Sequence, residues 1–194
     1  MGGGAGGREL TAAKRTLDAS SGELLLHTGV TGSAARMGHR LTIAVRSWLA
    51  TVDVDGDEPV AVEVTVDLDS LDVLAGEGGM TPLSGTEKTL VRNNALKSLQ
   101  AKRFPQATFR SSSIERDGDS WRLIGILDLS GQSREQSIVV HVTGDGADLR
   151  ITGEAVVRHS DHRIKQFSML MGAMKVADEV RVTLTATAPQ AGPR

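Results

Sequence analysis

The 194-residue chain has no cysteine and no tyrosine, and its rings are confined to two tryptophans and three phenylalanines. Without thiols it forms no disulfide, zinc–thiolate site, iron–sulfur cluster or cysteine nucleophile. So few rings argue against recognition of bases, haem or flavin by stacking. No stretch approaches the roughly 18 apolar residues of a membrane-spanning helix. The opening lacks the apolar core of a secretory signal, "ELTAAKRTLDA" being charged throughout, so the cytoplasm is the most economical location. Enzyme signatures are missing too. "GQSRE" lacks the second glycine of a nucleophile elbow around Ser133, and "GEGGMT" lacks the strand–turn–helix setting of a dinucleotide loop. The aspartates fall mostly at turns, where they serve the backbone, and no carboxylate pair stands out.

Net charge is −2, which does not suggest a nucleic-acid binder. Its distribution is uneven. Residues 16–80 hold eleven acidic and three basic side chains, whereas residues 81–110 hold Glu87 against Lys88, Arg92, Lys97, Lys102, Arg103 and Arg110. The basic stretch suggests a small anionic group, a partner surface or a solvated helix face.

What dominates the chain is period-two alternation. "VAVEVTVDLD" sets Val60, Val62, Val64, Val66 and Leu68 on one face; "VRVTLTAT" does the same with Val180, Val182, Leu184 and Ala186. "LTIAVRS" and "DLRITGEAVV" repeat the pattern, as half-buried antiparallel strands do. Turn chemistry separates the runs near residue 55, at 116–119 and at 144–148. About eight strands result, a sandwich or an up-and-down barrel. "PLSGTEKTLVRNNALKSLQAKRFP" interrupts them. Ser84 and Glu87 stand at capping-box spacing, and the helix they open runs to about Gln100, before Pro105. The class is all-β with one inserted helix. Residues 1–15 and 189–194, rich in Gly and Pro, read as disordered tails around a single domain at 16–188.

"VVRHSDHRIKQFSMLMGAMK" offers a choice between chemistry and grease. His159 and His162 lie three apart, so on a strand they face opposite ways and share a metal only where the chain turns. A mononuclear site using them with His27 or His39 is the catalytic or sensor alternative. The greasy reading makes the same stretch an apolar opening.

Several stretches taken in order resemble the YceI-like family. They are "GELLLHTGVTGSAARMGHRLTIAVRSWLATVDV", with His39 before its second strand, "VEVTVDLDSLDV", "RFPQATFRSSSI" with Phe104, Pro105, Thr108 and Phe109, and "LDLSGQSREQSIVVHV" with Gly131 and Arg134. "HSDHRIKQFSMLMGAMKVADEVRVTL" stands where the family has a turn and closing strand, but with His159, His162 and Arg163 in place of the family's Arg, Phe and Gly. The resemblance spans roughly residues 20–188. It implies a lipocalin-like antiparallel β-barrel of about eight strands that holds a long polyisoprenoid or similar lipid, with no enzyme activity, no metal and no cofactor. A homodimer is possible on the same ground.

Alternation and resemblance together assign a wall. His39, Ile43, Trp48, Val64, Val66, Phe104, Phe109 and Val140 line the tunnel, and Phe167, Met169, Leu170, Met171 and Met174 form a flexible flap over its opening. Lys88 and Arg92 are the expected head-group donors, as cations able to bond a phosphate. A third alternative is a filled barrel whose basic helix docks a protein partner.

Overall fold

The computed structural model describes residues 13–145 and 147–189. Its first six strands are three long strands, each bent in the middle: β1 (Ala13–Asp18) with β2 (Gly22–Thr31), β3 (His39–Val45) with β4 (Trp48–Asp55), and β5 (Glu58–Asp67) with β6 (Leu71–Gly78). The helix α1 (Gly85–Ser98) follows. Then come β7 (Gln106–Asp117), β8 (Ser120–Leu129), β9 (Gln132–Asp145), β10 (Asp148–Arg158), the two-residue β11 (Ser168–Met169) and β12 (Met174–Pro189).

Pairing runs straight through the bends. Val45 lies opposite Leu71 and Trp48 opposite Val66. Between them the Arg46 N–H donates to the Ser70 carbonyl (3.1 Å) and the Asp67 N–H to the Ser47 carbonyl (3.0 Å). Ser70 staples the bend, its hydroxyl accepting from the Ser47 N–H and donating to the Asp67 carbonyl. From β5 the order continues antiparallel through β7, β8, β9, β10 and β12, and β12 pairs with β2. Counted as continuous ribbons, the twelve segments, apart from the short β11, make a closed up-and-down barrel of eight strands.

The bends change which residues face inward. Leu41, Ile43 and Val45 point in from β3, but Trp48, Ala50 and Val52 do so from β4. Val62, Val64 and Val66 of β5 give way to Leu71 and Val73 of β6, because the intervening residues shift the two-residue phase. Val60 departs from the expected face. A bulge sets Val54 against Pro59 and Asp53 against Ala61, and the extra residue, Val60, turns out to solvent.

The expected capping box is present, with the Ser84 hydroxyl accepting from the Glu87 N–H and the Glu87 carboxylate from the Ser84 N–H. Fourteen residues alone are marginal as a helix, so packing must hold α1 in place. Val91, Leu96 and Leu99 supply it against the core around Leu71 and Trp48. The N-terminal boundary lies earlier than residue 16: Ala13–Arg15 pair with Val52–Val54 of β4. The rest of both expected tails, residues 1–12 and 190–194, lies outside the described residues.

Candidate ligand tunnel

A cavity of about 1690 Å³ runs the length of the barrel. One end is bounded by Lys14, Gly56, Asp57, Arg116 and Asp119, beside the β4–β5 and β7–β8 turns. At the other stand Met37, His39, Met80, Phe167, Met169 and Met174. The walls between are mostly aliphatic, because every strand turns its apolar face inward. His39, Ile43, Trp48, Val64, Val66, Phe109, Val140, Phe167, Met169 and Met174 all line this space. So do Leu26, Ile151 and Val182, and the inner face of α1 through Glu87, Val91, Asn94 and Ser98. The helix face was missed in the sequence because its polar members look solvated.

Five expected wall or head-group residues are placed elsewhere. Phe104 packs under the β8–β9 turn, where Gly131 (φ 75°) leaves room; a Cβ there would lie 2.5 Å from the ring. Leu170 and Met171 point away from the cavity into solvent. Lys88 and Arg92 are committed to the seam between α1 and β6. The Lys88 ammonium donates to the Leu74 carbonyl (2.7 Å), and Arg92 Nε donates to the Leu71 carbonyl (2.8 Å). Arg92 also bonds the Asp69 carboxylate at 3.0 Å. Their charge fastens the helix to carbonyls of the edge strand β6 rather than facing a ligand.

The histidines do not converge. The chain turns at Ser160–His162, yet His159 Nδ1–H donates to the Asp178 carbonyl (2.8 Å) while His162 Nδ1–H donates to the Gln132 carbonyl (3.2 Å). His39 Nε2–H reaches the Thr81 carbonyl (2.7 Å), and His27 bonds Thr183. Among the described residues no three His, Asp or Glu side chains could hold a metal ion together, so the His159–His162 metal alternative lacks a ligand set. His162 is 2% exposed, and burial pushes its imidazole below its ordinary value. Asp178 secures the turn by accepting from the Ser160 N–H and hydroxyl, which holds its carboxyl low.

Two further features belong to the wall. β9 and β10 pair only from Asp145–Asp148 to Val139–Glu154; beyond that the strands part, and the cavity reaches Gln136, Glu154, Ala155 and Arg158 at the split. Trp48 is 5% exposed and lines the cavity, yet its indole N–H has no hydrogen-bond partner among the described residues. A buried donor of this kind normally finds an acceptor. The open space also rules out the filled-barrel alternative.

Solved structures share this architecture. BcnA of Burkholderia cenocepacia superposes with a TM-score of 0.68 at 20% identity, covering 89% of this chain and 99% of that one. The YceI protein of Campylobacter jejuni gives 0.59 at 16% identity, over 77% and 85%. In sequence, a UPF0312 protein of Enterobacter sp. (strain 638) is 30% identical over 158 residues, 70% of this chain and 75% of that protein. A UPF0312 protein of Yersinia pestis (strain Pestoides F) is 30% identical over 91 residues, so the match spans about 46% of that relative's length. Residues 16–188, nearly the whole barrel, match the YceI-like domain, and the chain belongs to the YceI-like family.

Proposed function

We propose that the barrel binds, stores or carries a long flexible amphiphile of the polyisoprenoid class. The observation that carries this reading is the shape and lining of the tunnel. At about 1690 Å³ it exceeds the ~300–1,000 Å³ of ordinary small-molecule pockets. It is long rather than flat, and aliphatic rather than aromatic. Buried hydrocarbon contributes about 0.8 kcal/mol per methylene, so two or three isoprene units supply a micromolar driving force before ordering costs. Chain length is then read by tunnel depth. No catalytic constellation lines the tunnel among the described residues, and on this reading the protein is a carrier rather than an enzyme.

Native mass spectrometry of protein purified under mild conditions, followed by organic extraction, tests the reading. The expected result is an adduct of several hundred daltons that releases a prenyl chain. A bare mass that stays bare after incubation with a long-chain prenol overturns it.

A further inference from the structure

Around the tunnel mouth the apolar surface continues outward past the cavity. Three segments meet there: residues 32–38 between β2 and β3, residues 79–84 before α1, and residues 163–174. The Ala34 N–H donates to the Ala173 carbonyl (2.9 Å), His39 bonds the Thr81 carbonyl, and Met169 pairs with Met174. On this one rim Met37, Met80, Phe167, Met169, Leu170 and Met171 are exposed, Met171 completely. Single exposed apolar residues are ordinary, but a contiguous group of six marks an interaction surface.

The tip of the rim is strained. Leu170 and Met171 have φ of 51° and 53°, the left-handed region that non-glycine residues avoid. Gly172 follows at φ 90°. The backbone therefore holds two large apolar side chains away from the protein, and strain kept at such a place points to function.

Charge identifies the partner. The three segments carry Arg36, Arg163 and Lys165 and no carboxylate, and Arg40 and Lys175 flank them, with Glu77, Glu87 and Asp161 the nearest acids along the chain, in a protein whose net charge is −2. All five are exposed, and among the described residues only Arg40 has a carboxylate within 4.0 Å, that of Glu77. Cations around an apolar tip match anionic head groups above acyl chains. Unbranched methionines and a leucine suit a fluid hydrocarbon layer, whereas a protein hot spot favours Trp, Tyr and Arg in fitted pockets.

We infer that this rim docks on an anionic lipid bilayer, with Leu170 and Met171 entering the acyl boundary and the tunnel mouth facing the membrane. The docking stands on the rim itself; its use for loading a lipid rests on the proposed function.

The test is flotation of the full chain with vesicles of phosphatidylcholine alone and of phosphatidylcholine mixed with phosphatidylglycerol. Selective flotation with the anionic vesicles, weakened by salt, is expected. Leu170→Asp combined with Met171→Asp should lower the partition by about ten-fold or more. Uptake of a dispersed prenol by the same variant separates the two readings. Lost flotation with retained uptake supports docking, and so does vesicle binding by a wild-type chain that takes up no prenol, although that result would sink the carrier reading. No flotation of the wild type, flotation unchanged in the variant, or dimerisation through the rim without vesicle binding overturns docking.

Discussion

The side-chain amide of Gln136 donates to the carbonyl of Val156 across 3.1 Å, at the point where β9 and β10 have ceased to pair. A side chain here takes the place of a strand. In a closed barrel each strand carbonyl that points toward a neighbouring strand belongs to a ladder, and a free one in the wall costs stability unless another donor reaches it. Gln136 thus bridges the split with a single side-chain bond, which makes this the least ladder-bound part of the tunnel wall.

Locking that split should slow passage of a ligand. If the Val139–Glu154 register carried on, Ser137 would lie opposite Val156. A Ser137→Cys/Val156→Cys pair tests this without competing thiols, because the chain has no cysteine. Release of a fluorescent prenol from the oxidised protein should be slower than from the reduced form by about an order of magnitude. Equal rates in the two forms would assign all traffic to the end of the barrel.

Trp48 should discriminate among ligands of equal length. Its unpartnered indole N–H sits in a mostly aliphatic wall, so a chain carrying an oxygen acceptor at that depth gains a hydrogen bond that a plain hydrocarbon cannot. In a dry site one such bond is worth about 0.5–1.5 kcal/mol. Trp48→Phe should weaken a ketone- or hydroxyl-bearing prenyl probe by roughly three- to ten-fold while leaving a hydrocarbon of the same length nearly unchanged. Parallel losses for both probes would mean that only ring volume matters there.

The barrel was legible because its signal is local and repeated. Alternation puts Ile43, Val64 and Val140 on an inner face before any contact is known, and Ser84 with Glu87 announces the helix. What misled was nonlocal or depended on phase. Val60 keeps the alternation but is the extra residue of a bulge, and no residue type declares a bulge in advance. Lys88 and Arg92 look like free donors until folding brings the carbonyls of Leu71 and Leu74 to them. Leu170 and Met171 read as flap residues by hydrophobicity, which says nothing about a left-handed backbone that turns them outward. The split in the wall has no sequence signature at all, since Gln136 occupies an ordinary strand position.

Met171 sets stability against docking. Its side chain is fully exposed, so replacing it removes no packing, and glycine adopts its backbone angles without the ~1–2 kcal/mol left-handed penalty. After glycine's greater unfolded-state entropy is deducted, Met171→Gly should gain roughly 0.5–1 kcal/mol. For a domain of this size that raises Tm by about 2–4 °C at most. The same change should weaken binding to anionic vesicles. A variant that lost stability would show that the loop, not strain, sets the conformation of Met171.

Acid should destabilise the barrel through His162. Burial holds its imidazole below the usual value, with Arg134 adding repulsion, while the carbonyls of Gln132 and Leu129 and the Asp161 carboxylate pull the other way without prevailing. The unfolded chain takes up this proton near pH ~6.5, and the folded barrel only at lower pH. Between those points the unfolded state binds more protons, so stability falls as pH falls and levels off above the unfolded value. Asp18, Glu87 and Asp178, whose carboxyls are held low, lose their contributions only below about pH 5, which leaves the interval above it to the imidazole. His162→Phe removes the titrating group at this buried position and keeps a planar ring there, while the Gln132 carbonyl loses its donor. Urea midpoints measured near pH ~7.5 and ~5 should therefore diverge for the wild type and nearly coincide for the variant. If both proteins lost the same stability over that interval, the acid response would have to come from a group other than the His162 imidazole.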